Sequence, residues 1–140
     1  MRRTDPIIIG AGPAGCAAAI TMASGGARPL LLERETEVGD ALCGGFVSWR
    51  TMETLTRLGI EISGHRITRL RVFAGQNLAE APLPQAGHGL SRRAMDSALI
   101  ARAVACGAGL ERGVTIRNMD AVRAHLQDPL KPELHRSLLI

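Results

Sequence analysis

The sequence predicts an α/β fold in which an incomplete parallel sheet carries a small antiparallel hairpin insertion. Three observations predict it. An apolar triplet, Ile7-Ile8-Ile9, runs into a glycine turn, Gly10-Ala11-Gly12-Pro13-Ala14-Gly15, and then an Ala-rich helical stretch to Ser24. A second apolar triplet, Leu30-Leu31-Leu32, ends on an acid, Glu33. Further on, two extended segments flank the turn signal Gly75-Gln76-Asn77, the pattern of a hairpin.

The first two observations together form a βαβ unit of Rossmann type. A bare G-x-G-x-x-G carries little information when 16 of 140 residues are Gly, so its context decides. Here the motif follows an apolar strand, opens a helix, and is closed by Gly25-Gly26 as helix-terminating material. Gly10 makes the tight turn, Gly12 lets backbone approach a pyrophosphate, and Gly15 lets helix and strand pack closely. Free N–H groups and the helix macrodipole then face the anion. Glu33 lies 18 positions past Gly15, close to the ~20 typical of the acid that accepts hydrogen bonds from ribose hydroxyls. The unit therefore points to a bound adenine dinucleotide.

After Glu33 the chain is polar to Asp40, and Ala41-Leu42-Cys43-Gly44-Gly45-Phe46 forms a glycine-rich turn. Ser48 is placed to N-cap a helix over Trp49–Leu58, with Met52, Leu55 and Leu58 on one face and Gly59 as its stop. Ile67–Phe73 alternates as a half-buried strand, and Leu78–Leu83 returns antiparallel. Pro82 and Pro84 restrict that return to an edge strand. Ser91 caps a helix running to Cys106, with Met95, Leu99, Ala103 and Cys106 as its apolar stripe and Gly107 as its end. Gly113–Arg117 reads as a short strand and Asp120–Gln127 as a helix; Asp128-Pro129 and Lys131-Pro132 then break regular structure before Leu138-Leu139-Ile140.

Bulk properties narrow the class. An apolar share of 46% suits a globular chain of about one domain. Aromatics at 2% argue against stacking platforms for single-stranded nucleic acid. The net charge of +4 is spread along the chain, which favours anionic small ligands over a nucleic-acid partner that needs a clustered patch. Cys16, Cys43 and Cys106 are an odd set without C-x-x-C and point to a reducing cytoplasm. His65, His88, His125 and His135 lack metal spacing and read as surface or loop residues. Met1-Arg2-Arg3 and the small residues near Ala23 imitate a secretory signal, but Asp5, Pro6 and three glycines interrupt its apolar core. No apolar run of about 18 residues is present, so no membrane span is expected.

Four stretches, Ile7–Gly15, Leu30–Arg34, Leu42–Ser48 and Leu90–Asp96, resemble the flavoprotein oxidoreductases of the glutathione-reductase-like class, and within it the geranylgeranyl-reductase-like branch. The resemblance covers about residues 5–117. It implies FAD as the dinucleotide, NAD(P)H as electron donor, and an apolar unsaturated isoprenoid substrate that is reduced, or one that is hydroxylated through the flavin. Peripheral membrane contact through that substrate is also implied.

Carried onto the residues of this chain, the resemblance implies cofactor contacts at Gly10, Gly12, Pro13, Ala14, Gly15, Glu33, Arg34, Arg92 and Ile116. By the same resemblance Arg92, four positions before Asp96, is expected to contact the flavin nucleotide, and Ile116 to belong to the strand that brings backbone to the adenine. Cys43, in the Cys-Gly-Gly turn, is the candidate catalytic residue. Its neighbours Asp40-Ala41-Leu42 depart from relatives that carry a basic residue before the turn.

Relatives also continue with a sheet meander, a Gly-Asp segment at the ribityl chain and a substrate domain that this sequence lacks. The expected division is a partial FAD-binding domain over 1–117, with the hairpin insertion at about 64–86, and an atypical tail over 118–140. The alternative to an oxidoreductase is a truncated noncatalytic remnant or one subunit of a split flavoprotein completed by another chain.

Overall fold

The computed structural model describes residues 5–118 and 120. Its elements in chain order are β1 (Ile7–Ile9), α1 (Pro13–Ser24), β2 (Leu30–Glu33), β3 (Phe46–Val47), α2 (Trp49–Arg57), β4 (His65–Ala74), β5 (Asn77–Gly89), α3 (Arg92–Ala105) and β6 (Gly109–Arg112). They divide into two compact units. One takes the described parts of Met1–Gly39 and Asp96–Ile140, the other Asp40–Met95.

The first unit holds a three-stranded sheet in the order β1-β2-β6, parallel throughout. Leu30, Leu31 and Leu32 are all buried, because β2 is the central strand and a parallel strand is covered on both faces. Each fully buried leucine contributes about 1.5–3 kcal/mol. Helix α1 buries Cys16, Ala19, Ile20 and Ala23, the i, i+3, i+4, i+7 spacing of one helical face. The register pairs Ile7 with Leu30, Leu30 with Gly109 and Glu33 with Arg112.

The strand expected over Gly113–Arg117 is displaced, to Gly109–Arg112. Gly113 adopts φ +73°, a left-handed turn that ends the strand. The β-branched run Val114-Thr115-Ile116 suggested a strand by propensity, but packing claims two of its side chains. Val114 and Ile116 lie against the cluster of Ile7, Leu30 and Leu32.

The second unit holds an antiparallel sheet in the order β3-β5-β4. Strand β3, with two residues, is too short to show periodicity in the sequence. Strand β5 does not stop at Leu83 but runs to Gly89, and it is central in the sheet rather than an edge. Its prolines are tolerated because β3 pairs only with His88 and Gly89. On the other side, the register to β4 shifts between Ile67, opposite Gly87, and Arg69, opposite Pro82. Pro84 therefore lies in an irregular stretch where the ladder makes no regular demand for its missing N–H. Glu80 is held below the ordinary carboxylate value by hydrogen bonds from Arg71 and Arg69, which outweigh the opposing effect of desolvation.

Both predicted caps form. Thr51 N–H donates to Ser48 Oγ (3.3 Å) at the start of α2, and Ala94 N–H donates to Ser91 Oγ (3.1 Å) at the start of α3. Leu55 is buried on α2, and Met95, Leu99 and Ala103 are buried on α3. Among the described residues no helix is long and apolar enough to cross a membrane. The helix expected over Asp120–Gln127, Asp120 apart, and the apolar end Leu138–Ile140 lie outside the described residues, as do His125 and His135.

Candidate functional site: a dinucleotide cradle

At the end of β1, Gly10 N–H donates to Leu32 O (2.7 Å), extending the β1–β2 ladder by one bond before the chain turns. Gly10 has φ +96°, a conformation that costs an L-residue roughly 1–2 kcal/mol. Gly12 differs. Its φ of −74° and ψ of −176° are open to any residue, and a Cβ there would meet nothing within 4 Å. What glycine supplies at position 12 is therefore empty space over the turn. Gly15 supplies the reverse, since a Cβ there would run into the Gly10 carbonyl, so its absence lets α1 lie against the turn.

Gly12 is the N-cap of α1, no side chain caps the helix, and Pro13 occupies its first turn. Cys16 N–H donates to Gly12 O (2.9 Å). The helix geometry leaves the Ala14 and Gly15 N–H groups without acceptors inside the helix, and the macrodipole adds positive potential there. Free donors and positive potential of this kind suit an anion at the open side of Gly12.

Glu33 stands at the rim. Its Oε2 accepts from Ala11 N–H (2.7 Å) and its Oε1 from Glu35 N–H (2.9 Å). Partial burial pushes its carboxyl up, but backbone N–H donors from Glu35, Ala11 and Arg34, with Arg112 beside it, leave the net value below the ordinary range. A carboxylate accepts about four hydrogen bonds, so an ionised Glu33 retains lone pairs for hydroxyl donors. The Ala11 bond also fixes the carboxylate against the glycine turn, a contact invisible in the sequence because the two residues are 22 positions apart.

The remaining candidates are placed as follows. Arg34 is exposed and paired with Glu35 (2.8 Å). Ile116 lies beyond β6, not in it, and its side chain packs on the Ile7 cluster. In the second unit, Arg92 is the half-buried first residue of α3. Cys43 is exposed in the turn before β3, and its Sγ accepts from Gly45 N–H (3.5 Å). Asp40, read as a departure from relatives, accepts from Arg93 N–H and pairs with its guanidinium, both at 3.3 Å.

Two features escaped sequence reading. Cys16 is fully buried, its Sγ donates to Ala11 O (3.2 Å), and burial, with smaller effects of Asp96 and Glu33, pushes its thiol up to about 11. His88 is neither a loop nor a simple surface residue. It lies half-buried on β5 with Nδ1 enclosed and unpartnered among the described residues. Among the described residues, no group of His, Cys, Asp and Glu is arranged to hold a metal ion.

The family described as FAD binding domain matches residues 3–133. The chain belongs to the FAD binding domain family. It is 37% identical over 112 residues to digeranylgeranylglycerophospholipid reductase 2 of Methanopyrus kandleri, an alignment that covers 76% of this chain and 27% of the relative. It is 30% identical over 122 residues to the chloroplastic geranylgeranyl diphosphate reductase of Nicotiana tabacum, covering 84% of this chain and 26% of the relative.

Among solved structures, a geranylgeranyl bacteriochlorophyll reductase-like protein of Thermoplasma acidophilum shares the fold with a TM-score of 0.66 at 23% identity, over 79% of this chain and 30% of that one. The chain thus spans between a quarter and a third of the length of these relatives. FAD is the cofactor of the family, and the cradle fits it. The space above Gly12 and the uncapped start of α1 suit a pyrophosphate, and the rim carboxylate of Glu33 suits a ribose.

Proposed function

We propose that these residues form the adenine-nucleotide-binding part of an FAD-dependent oxidoreductase acting on an apolar isoprenoid lipid. The observation that carries this reading is the pairing of an open, uncapped glycine turn with a carboxylate anchored to its backbone through Ala11. The relatives named as reductases of geranylgeranyl compounds support the substrate class. When bound, FAD supplies the hydride chemistry, and the protein supplies placement and electrostatics.

Each residue then has a defined task. Ala14 and Gly15 N–H groups bind the pyrophosphate, next to Pro13 and above Gly12. Glu33 accepts from the ribose hydroxyls, with Arg34 at the same rim. Arg92 forks onto a phosphate or ribose oxygen of the flavin nucleotide, which its planar guanidinium suits, and the backbone around Ile116 borders the adenine. Cys43 Sγ donates the proton that accompanies hydride addition to a carbon–carbon double bond. Its exposure in a glycine-rich turn supports that role. NAD(P)H is the proposed source of the hydride. The unpaired cysteines favour a reducing compartment, the cytoplasm.

The test is flavin titration of the 140-residue chain, followed by fluorescence quenching. Saturable binding of FAD, with little binding of riboflavin, which lacks the pyrophosphate and adenosine, is the expected result. Equal binding of both would overturn the assignment of the glycine turn.

A further inference from the structure

We infer that Cys16 is a positioning residue of the dinucleotide cradle, whose thiol turns the Ala11–Gly12 peptide so that Gly12 N–H joins Ala14 and Gly15 as a donor to the pyrophosphate. Cys16 itself touches no ligand in this arrangement. The inference deepens the proposed function and rests on that reading of the glycine turn.

Ala11 is 3% exposed and Cys16 is 0% exposed. A backbone carbonyl taken out of water requires a hydrogen-bond partner. Among the described residues the Ala11 oxygen accepts from no backbone N–H, and its partner is Cys16 Sγ at 3.2 Å. Cys16 also holds the next carbonyl, its N–H donating to Gly12 O at 2.9 Å. The Gly10 carbonyl lies against α1 as well, where a Cβ on Gly15 would strike it. All three carbonyls of the turn thus face α1, and two of them are held by one residue.

The direction of the donors follows. A trans peptide is planar, and its C=O and N–H point in opposite directions. With the Ala11 oxygen drawn toward the buried thiol, Gly12 N–H points away from it, and among the described residues that N–H meets no acceptor. Pro13 has no N–H, so Gly12, Ala14 and Gly15 are the donors that the turn offers to an anion. Rotation of the Ala11–Gly12 peptide would present an oxygen in place of one of them, and the thiol's bond opposes that rotation. The preceding peptide is fixed separately, since Ala11 N–H donates to Glu33 Oε2 at 2.7 Å. Ala11 is therefore held at both its donor and its acceptor. Burial pushes the Cys16 thiol up to about 11, so it keeps its proton through the neutral range.

A comparison of Cys16→Ala, which removes the donor, with Cys16→Ser, which keeps one, tests the role by FAD titration of the full 140-residue chain. Cys16→Ala should raise the Kd for FAD by roughly threefold to tenfold, the loss of one hydrogen bond, and Cys16→Ser should return it to within about twofold of the parent chain. The weak binding of riboflavin, which has no pyrophosphate, should not change. In the parent chain, the infrared S–H band that either variant removes should lie at lower frequency than that of a thiol without an acceptor.

An unchanged Kd in Cys16→Ala, or a Kd in Cys16→Ser as weak as in Cys16→Ala, overturns the positioning role and leaves the cradle standing. An S–H band at the frequency of a thiol without an acceptor does the same, and it is read on the parent chain whether or not a variant folds. Absence of FAD binding by the parent chain removes the proposed function itself, and this inference with it.

Discussion

Three glycines in one turn do three different things, and substitutions separate them. Gly12→Val should fold, since the added Cβ enters open space, yet lose FAD binding if that space holds the pyrophosphate as proposed. Gly15→Ala drives a Cβ into the Gly10 carbonyl and should lower the melting temperature sharply, since a backbone clash has no side-chain rotamer to relieve it. Thermal melts beside flavin titrations distinguish the two outcomes. A Gly12→Val variant that still binds FAD would remove the cradle.

Glu33 carries a pH signature. Its folded pKa lies below the ordinary value of 4.5, so the ionised form is favoured by folding. That stability is fully present above 4.5 and is lost as pH falls through the lowered folded value. Acid titration of the melting temperature should fall less steeply over that window in Glu33→Gln than in the parent chain.

The thiols should differ in reactivity as their surroundings do. At pH 8, iodoacetamide should label Cys43 and spare Cys16, whose thiol is buried and raised to about 11. Peptide mass spectrometry reads the result, and early labelling of Cys16 would contradict its packing on α1.

At the scale of elements, local chemistry in the sequence located most boundaries. Serines at 48 and 91 cap α2 and α3 as their types and positions indicated. Ser48→Ala should therefore cost about 1 kcal/mol, measurable by urea unfolding. An unchanged midpoint would mean that water replaces the cap.

The elements that escaped reading are the ones whose pairing is non-local. β3 has two residues and exists only because β5 passes beside it. β6 carries Gly109-Leu110-Glu111-Arg112, a poor strand by propensity, and is held by four register pairs to β2. Val114-Thr115-Ile116 had the better propensity and lost, since tertiary pairing overrides a weak β preference. β5 could become central despite two prolines because β3 pairs with it only at His88 and Gly89, and Pro84 falls in the irregular stretch of its register with β4.

At the scale of the molecule, the chain contributes two units with different surfaces. The first presents a polar cradle above a parallel sheet, and the second presents a hairpin whose end is apolar and basic. FAD binding should raise the melting temperature, since a ligand held only by the folded state adds about 2.7 kcal/mol at a hundredfold excess over Kd.

The βαβ unit, its glycine turn, the acid at the end of β2 and the two serine caps are legible in the local pattern of the chain. Each depends on residues near one another in the chain, where spacing and side-chain type act directly on backbone conformation. Tertiary pairing, by contrast, is what lets Ala11 anchor Glu33, sets β6 ahead of Ile116 and makes β5 central. Those facts depend on which strands pair and in what register. Pairing is settled by burial and hydrogen bonding between segments far apart in sequence, which local preference does not encode.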